Sequence, residues 1–185
     1  MKLVIFLFTV IGLTIFASSI SDADAAVDMF LKIPGIDGES MTKGHEKEIE
    51  LLAWSWGATQ TGAIGGGGAG AGKASFQDFH FTKFIDKSSP ILLQKLAIGQ
   101  HIPEATFVIE RPTGEPTPFK FLEIKMTDLL VSSYQIGGSS GDDRPVESIS
   151  LNFAKIEFKY TPQKADGTAD APVSMCYDLR TAMSC

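Results

Sequence analysis

A glycine-rich tract holds the closest match to a chemical motif in this sequence. Gly67 to Lys73 fits the Gly-x-x-x-x-Gly-Lys half of a phosphate-binding loop. The next residue is Ala74, so the hydroxyl that would hold Mg²⁺ is missing. Residues 75–83 have the pattern of a strand, whereas such a loop needs the start of a helix there. Because a tract this rich in glycine matches by chance, we predict no nucleotide site.

The three histidines lack the spacing of metal ligands. His45 to Glu48 begins like the His-Glu-x-x-His motif of zinc peptidases, but Ile49 stands where the second ligand belongs. His80 and His101 have no Cys or His at ligand spacing. We therefore expect all three histidines to be ordinary surface or half-buried side chains.

The other polar patterns also give no support for an enzyme. Asp142-Asp143-Arg144 offers oxygen ligands to Ca²⁺, but we favour a solvated turn in which Arg144 neutralises the two acids. No Gly-x-Ser-x-Gly nucleophile elbow occurs. We predict a protein without catalytic residues, metal or cofactor.

The composition is that of one acidic domain with a substantial core. The chain has 185 residues, and 44% hydrophobic residues with 13 Phe are too apolar for a disordered protein. Lys and Arg number 16 against 22 Asp and Glu, which gives a net charge of −6. Because phosphate binding needs a basic face, this balance argues against a nucleic-acid partner.

The N-terminus has the pattern of a secretory signal peptide. Lys2 precedes an apolar run from Leu3 to Phe16, and Ala23-Asp24-Ala25 supplies an Ala-x-Ala cleavage site. The run is shorter than the roughly 20 apolar residues that span a bilayer, so we prefer a cleaved signal to a membrane anchor. The predicted organisation is a leader over residues 1–25 and one domain over residues 26–185, with no stable membrane insertion after cleavage.

Both cysteines, Cys176 and Cys185, lie in the last ten residues. In an oxidising compartment they can pair with each other or across subunits. The alternative is that Cys176 is a small core residue and Cys185 a free terminal thiol. The sequence does not supply the Cα separation that would decide between the two.

Alternating apolar and polar residues predict a mainly β protein with one helix. Ser88-Ser89-Pro90, an apolar stripe of leucines and a closing Gly99 predict that helix. One helix packed on many strands predicts a single compact β-barrel or sandwich. The predicted strands cover residues 27–33, 46–60, 75–83, 105–111, 119–131 and 146–160.

In two of these strands the apolar residues switch between odd-numbered and even-numbered positions partway along, which we call a change of parity. The first changes at Leu51-Leu52, ahead of Trp54 and Trp56, and the second changes between Phe153 and Ile156. Such a change indicates a bulge, or a strand that passes from one environment into another, and it suits a subunit that also packs against neighbours.

A long loop lies between Gly57 and Lys73. Glycines have no side chain to bury, so we expect this loop to become ordered only against a partner. Its glycines between positions 65 and 72 are Gly65, Gly66, Gly67, Gly68, Gly70 and Gly72.

Several segments together resemble the haemolysin-coregulated protein (Hcp) family, the tube-forming proteins of type VI secretion systems. The most specific is Leu52-Ala53-Trp54-Ser55-Trp56-Gly57, and the resemblance covers residues 26 to 180 in order. Other matching segments lie at residues 26–33, 38–40, 81–83, 85–88, 131–133, 137–139, 143–144, 151–154 and 160–167.

The resemblance implies a compact β-barrel of two antiparallel sheets with one flanking α-helix. It also implies hexameric rings that stack into a hollow tube, which a contractile sheath propels out of the cell. Family members carry small effector proteins in the ring, act in virulence, and meet a spike protein of the valine-glycine-repeat family at the tip.

Two hypotheses follow for particular residues. If Trp54 and Trp56 pack inward, Ser55 faces the lumen of the ring and touches cargo; the alternative is a small residue tolerated at an interface. The glycines of residues 65–72 are expected to reach the next ring in a stack.

The predicted leader departs from the family pattern, because members usually leave directly from the cytoplasm. A chain sent to the periplasm could not load into a cytoplasmic sheath. We therefore carry an alternative function, an exported ring-forming binding module that is not connected to a type VI sheath. The predicted location is secreted after periplasmic passage, with a cytoplasmic pool if the leader is not used.

Overall fold

The computed structural model describes residues 26–60, 74–113 and 117–185. The predicted leader and most of the long loop, including its six glycines, lie outside the described residues. The elements of the described residues are β1 Asp28–Lys32, β2 Ile49–Glu50, β3 Ala53–Ser55, β4 Ala58–Gln60, β5 Ala74–Phe76, β6 Phe79–Phe84, α1 Ser89–Ile98, β7 Ile102–Arg111, β8 Phe119–Gly137, β9 Val146–Tyr160, β10 Val173–Asp178 and β11 Met183–Ser184.

The strands form one large antiparallel sheet and one small one. The large sheet has the order β11-β10-β9-β8-β7-β1-β2, with β6 on the other side of the first half of β9 and β3 on β6. The small sheet pairs β4 with β5 at the base of the long loop. For the described residues, a mainly β protein of two antiparallel sheets with one helix is confirmed.

The large sheet curls round on itself but does not close into a continuous barrel. The segment from β2 to β3 reaches both edges in turn: β2 pairs with β1, and β3 pairs with β6. Leu51 N donates to Met29 O at 3.0 Å and Leu52 N donates to Thr82 O at 2.8 Å. The chain therefore changes partner at the position where the sequence changes parity, and the predicted single strand over 46–60 is three short ones.

The second change of parity coincides with an unusual backbone at Asp128. Asp128 has φ 54°, a left-handed conformation that Asp tolerates better than most residues. Before it, Met126 on β8 and its partner Ile156 on β9 are buried; after it, Leu129 and its partner Phe153 are buried. Both strands therefore exchange their inward and outward residues at the same level of the sheet.

The helix α1 packs its buried Leu92 towards the sheet and ends at Gly99 in a left-handed conformation, φ 60°. Its start differs from our prediction, because the Ser88 side chain makes no capping hydrogen bond. The Ser88 hydroxyl instead donates to Asp86. No helix within the described part of the chain is both long and apolar enough to cross a membrane.

Candidate functional site: two outward faces of the sheet

Short polar side chains form a row across four strands on the outward side of the large sheet. Ser55 on β3 lies opposite His80 on β6, His80 lies opposite Ser150 on β9, and Ser150 lies opposite Ser133 on β8. We call this row and its polar neighbours the hydroxyl face: Ser55, Asp78, His80, Ser132, Ser133, Ser148, Ser150 and Asn152.

Hydrogen bonds within the hydroxyl face satisfy its two ionisable side chains. His80 Nδ1 lies 3.2 Å from the Ser150 hydroxyl, and His80 Nε2 lies 3.2 Å from the Ser148 hydroxyl. The Asp78 carboxylate accepts from Ser132 Oγ and, at 2.8 Å, from Asn152 Nδ2. The face therefore offers hydroxyl and amide groups, with one imidazole and one carboxylate among them.

Two tryptophans fix the direction in which Ser55 points. The Trp54 ring packs 5.0 Å from the Phe107 ring, and the Trp56 ring packs 5.9 Å from the Phe76 ring. Both tryptophans contact the core, whereas Ser55 between them is exposed. This arrangement agrees with the alternation predicted for these three residues.

The outward side of the sheet changes its chemistry at Asp128, and the residues that precede Asp128 on β8 lie in the second region. There the long side chains of β7, β8 and β9 form ion pairs: Lys125 lies 2.9 Å from Glu104, and Lys155 lies 3.1 Å from Glu157. The hydrogen bond that Lys125 donates to Glu104, together with the negative charge of Glu104, raises the pKa of Lys125. We call these residues the charged face: Glu104, Glu123, Lys125, Lys155, Glu157 and Lys159.

A buried ionic cluster lies behind the hydroxyl face and holds the start of α1. Lys83 Nζ lies 2.8 Å from Glu147 Oε2 and 2.7 Å from Asp86 Oδ1, and both Lys83 and Glu147 are fully buried. The Ser89 hydroxyl donates to one Glu147 oxygen at 2.8 Å, and the Tyr134 hydroxyl donates to the other. Every charge of the cluster has a partner within it, as buried charges require.

His45 and the turn at residues 139–144 differ from our expectations. His45 is buried, not half-buried or exposed, and it lies 2.6 Å from Glu48 and 2.8 Å from Glu110. In the turn, the Arg144 guanidinium lies 4.3 Å from the centre of the Phe84 ring, and it forms no ion pair within 4.0 Å with the described Asp142 or Asp143. Among the described residues, no group of three His, Cys, Asp or Glu could hold a metal ion.

The two cysteines are joined within one chain. Cys176 on β10 and Cys185 beyond β11 form a disulfide, with their Cα atoms 5.3 Å apart. This separation lies inside the range that a disulfide requires. Cys176 is half-buried and Cys185 is exposed, so neither cysteine belongs to the core.

Sequence reasoning found Ser55 but missed His80 as a member of the same face. The available signal was alternation: Asp78, just before β6, and His80, on β6, alternate with the buried Phe79 and Phe81. Which strands would flank β6 was not readable from that alternation. The predicted ring-contacting glycines between 65 and 72 lie outside the described residues.

These features define a class before any comparison: a small antiparallel β scaffold that presents polar groups on open sheet faces. The family model described as "Type VI secretion system effector, Hcp" matches residues 30–160. Protein hcp1 of Pseudomonas aeruginosa is 48% identical over 157 residues, covering 84% of this chain and 96% of that protein. The chain therefore belongs to the Hcp family of type VI secretion proteins.

Solved structures agree with this assignment. A structure described as a type six secretion system protein superposes with a TM-score of 0.80 at 32% identity, covering 86% of this chain and 100% of that one. Hcp1 from Salmonella typhimurium superposes with a TM-score of 0.71 at 33% identity, covering 86% and 99%. The predicted resemblance is confirmed, and Hcp proteins are secreted components of type VI secretion.

Proposed function

We propose that this chain is a structural component of a type VI secretion tube, in which six copies form a ring and rings stack into a hollow conduit. The observation that carries the proposal is that the outward side of the large sheet is divided into a hydroxyl face and a charged face. A conduit wall must touch many different effector proteins without holding any of them tightly. Short, nearly uncharged side chains suit that surface, so we assign the hydroxyl face to the lumen.

Exposed apolar residues near the ends of the sheet strands support assembly into rings. Val173 on β10 is 67% exposed, and its partner Tyr160 on β9 is 46% exposed. Ile136 near the end of β8 is 53% exposed. Apolar side chains exposed in this way are explained by a neighbouring copy that covers them. The sheath, the valine-glycine-repeat spike and small effector proteins are the further partners of this proposal.

The test of the lumen assignment is a bulky side chain at Ser55. Rings carrying Ser55→Trp should form normally, because Ser55 is exposed, yet they should retain less effector protein. Ser174→Trp is the matched control, since Ser174 is an exposed serine on β10, opposite Lys159 of the charged face. Native mass spectrometry would count the subunits, and quantitative pulldown from the protein's own cells would measure cargo.

Two results would contradict this proposal. Equal cargo retention by the Ser55→Trp and Ser174→Trp rings would contradict the assignment of Ser55 to the lumen. A wild-type chain that is monomeric at every concentration tested would contradict the formation of rings.

One observation favours the second candidate, an exported ring-forming binding module without a sheath. The Cys176–Cys185 disulfide suits a chain that matures in an oxidising compartment, as the predicted leader over residues 1–25 would require. Genes for sheath and spike proteins beside this gene would favour the tube, whereas an isolated gene would favour the module.

A further inference from the structure

Residues 179–185 fold back on the end of β10, and few contacts other than the disulfide hold them there. Cys176 to Asp178 belong to β10 and pair with β9, so we call only the returning residues 179–185 the C-terminal hairpin. Its strand β11 pairs with β10 through only two residues, opposite Tyr177 and Asp178. Beyond that pairing, Leu179 packs against the core and its N donates to Ala154 O at 2.8 Å, and Arg180 lies 3.0 Å from Asp128 and 3.1 Å from Asp178.

These contacts are weak by themselves. The side chains of Arg180 and Asp128 are 60% and 40% exposed, and an ion pair at such exposure contributes little in water. Met183 is 61% exposed, so β11 buries almost no apolar surface. Leu179 is held by its packing on the core, whereas the covalent link between the cysteines is the main restraint on residues 180–185.

The disulfide is also open to small thiols. Both cysteines line a surface cavity of about 330 Å³, together with Lys125, Lys159 and Met175. Cys185 is exposed, and the cavity opens to solvent beside both cysteines. Accessible disulfides of this kind exchange readily with external thiols.

The hairpin also covers an edge strand. β10 pairs with β9 on one side, and on its other side β11 covers only its last two residues. The uncovered part of β10 carries exposed Val173 and Met175. Because free edges invite pairing with other chains, detachment of β11 would lengthen the free edge of β10.

We propose that Cys176–Cys185 is a reversible redox site that fastens the C-terminal hairpin in an oxidising environment and releases it in a reducing one. To close it, a thiolate of one cysteine attacks a low-molecular-weight disulfide and expels one thiolate of that reagent. The second cysteine thiolate then attacks the mixed disulfide and expels the other. The reagent gains two electrons, and the two cysteines lose their protons to the buffer.

Trypsin provides a direct test on the full chain, because Arg180 lies inside the loop that the disulfide closes. Cleavage after Arg180 in the oxidised protein should add one water to the mass and release no peptide. In the reduced protein the same cleavage should release residues 181–185. We expect cleavage at Arg180 to be about tenfold faster or more after reduction, because the hairpin is no longer restrained. Added oxidised glutathione should restore the slow rate.

The controls separate the redox site from a general effect of the reductant. The Cys176→Ser/Cys185→Ser double variant should be cleaved at the fast rate with or without reductant. Cleavage after Lys164, exposed in the loop before β10, should not change with redox state. Equal rates at Arg180 in the oxidised and reduced protein would overturn the proposal, as would two free thiols remaining in excess oxidised glutathione. The test does not depend on ring formation, so it stands apart from the proposed function.

Discussion

At the scale of single residues, the hydroxyl face depends on charges that lie behind it. Lys83 and Glu147 are both fully buried and are 2.8 Å apart. Removing one partner of such a pair leaves an uncompensated buried charge, which is more costly than the pair is stabilising. Tyr134 supplies a hydroxyl to the same Glu147 and joins β8 to the cluster.

Tyr134 predicts how stability changes at high pH. Burial, followed by the hydrogen bond to Glu147, raises the pKa of Tyr134 above its usual value of 10.0. Below about pH 10 both folded and unfolded chains keep this proton, so its contribution is complete. Above that pH the unfolded chain loses the proton first, and the free energy of unfolding should fall as pH rises.

Urea denaturation between about pH 8 and pH 11 would measure this fall in the wild type and in Tyr134→Phe. The variant should be less stable by about 1–3 kcal/mol at neutral pH, because Glu147 loses a donor. It should also lack the Tyr134 part of the alkaline slope. Tyr160→Phe, at an exposed tyrosine, is the matched control. An unchanged slope in Tyr134→Phe would contradict the prediction.

At the scale of elements, the base of the long loop is an anchored hairpin. β4 and β5 pair through three residues, from Ala58 opposite Phe76 to Gln60 opposite Ala74. The Phe76 ring stacks between Trp56 and Tyr177, at 5.9 Å and 5.1 Å. Because these contacts lie outside residues 65–72, the fold of the described residues does not rest on the glycines.

Deletion of residues 65–72 should therefore leave the ring intact and weaken the stacking of rings. Urea denaturation should give nearly the wild-type free energy of unfolding, since the deleted glycines have no side chains to bury. Electron microscopy should show shorter stacks. A Gly/Ser segment of equal length is the control for loop length. Loss of the ring, or stacks of normal length, would show that the loop has a different role.

At the scale of the whole molecule, the start of the mature chain decides between the two candidate functions. Mass spectrometry coupled to size exclusion, on protein from cytoplasm, periplasm and medium, would identify that start. A chain that begins at Ala26 and elutes as a ring would indicate signal-dependent export and favour the binding module. A chain with Met1 in the cytoplasmic fraction would favour the tube.

The features that the sequence determined by itself are those set by neighbours a few residues apart. Alternation over Trp54, Ser55 and Trp56 gave their opposite directions, and Gly99 marked the end of the only helix in the described residues. Parity also located both positions where strands change environment. Backbone geometry imposes the period of two within one strand, so these signals need no knowledge of distant segments.

The tertiary structure decided which distant segments meet. His80 contacts Ser148 and Ser150, which are 68 and 70 residues further along the chain, only because β6 pairs with β9. The burial of Lys83 depends on the same pairing, since Glu147 arrives on β9. Alternation along a strand predicts which of its sides faces inward, but it does not predict which strand pairs with it. Packing of the whole core selects the partner, and with it the membership of the hydroxyl face.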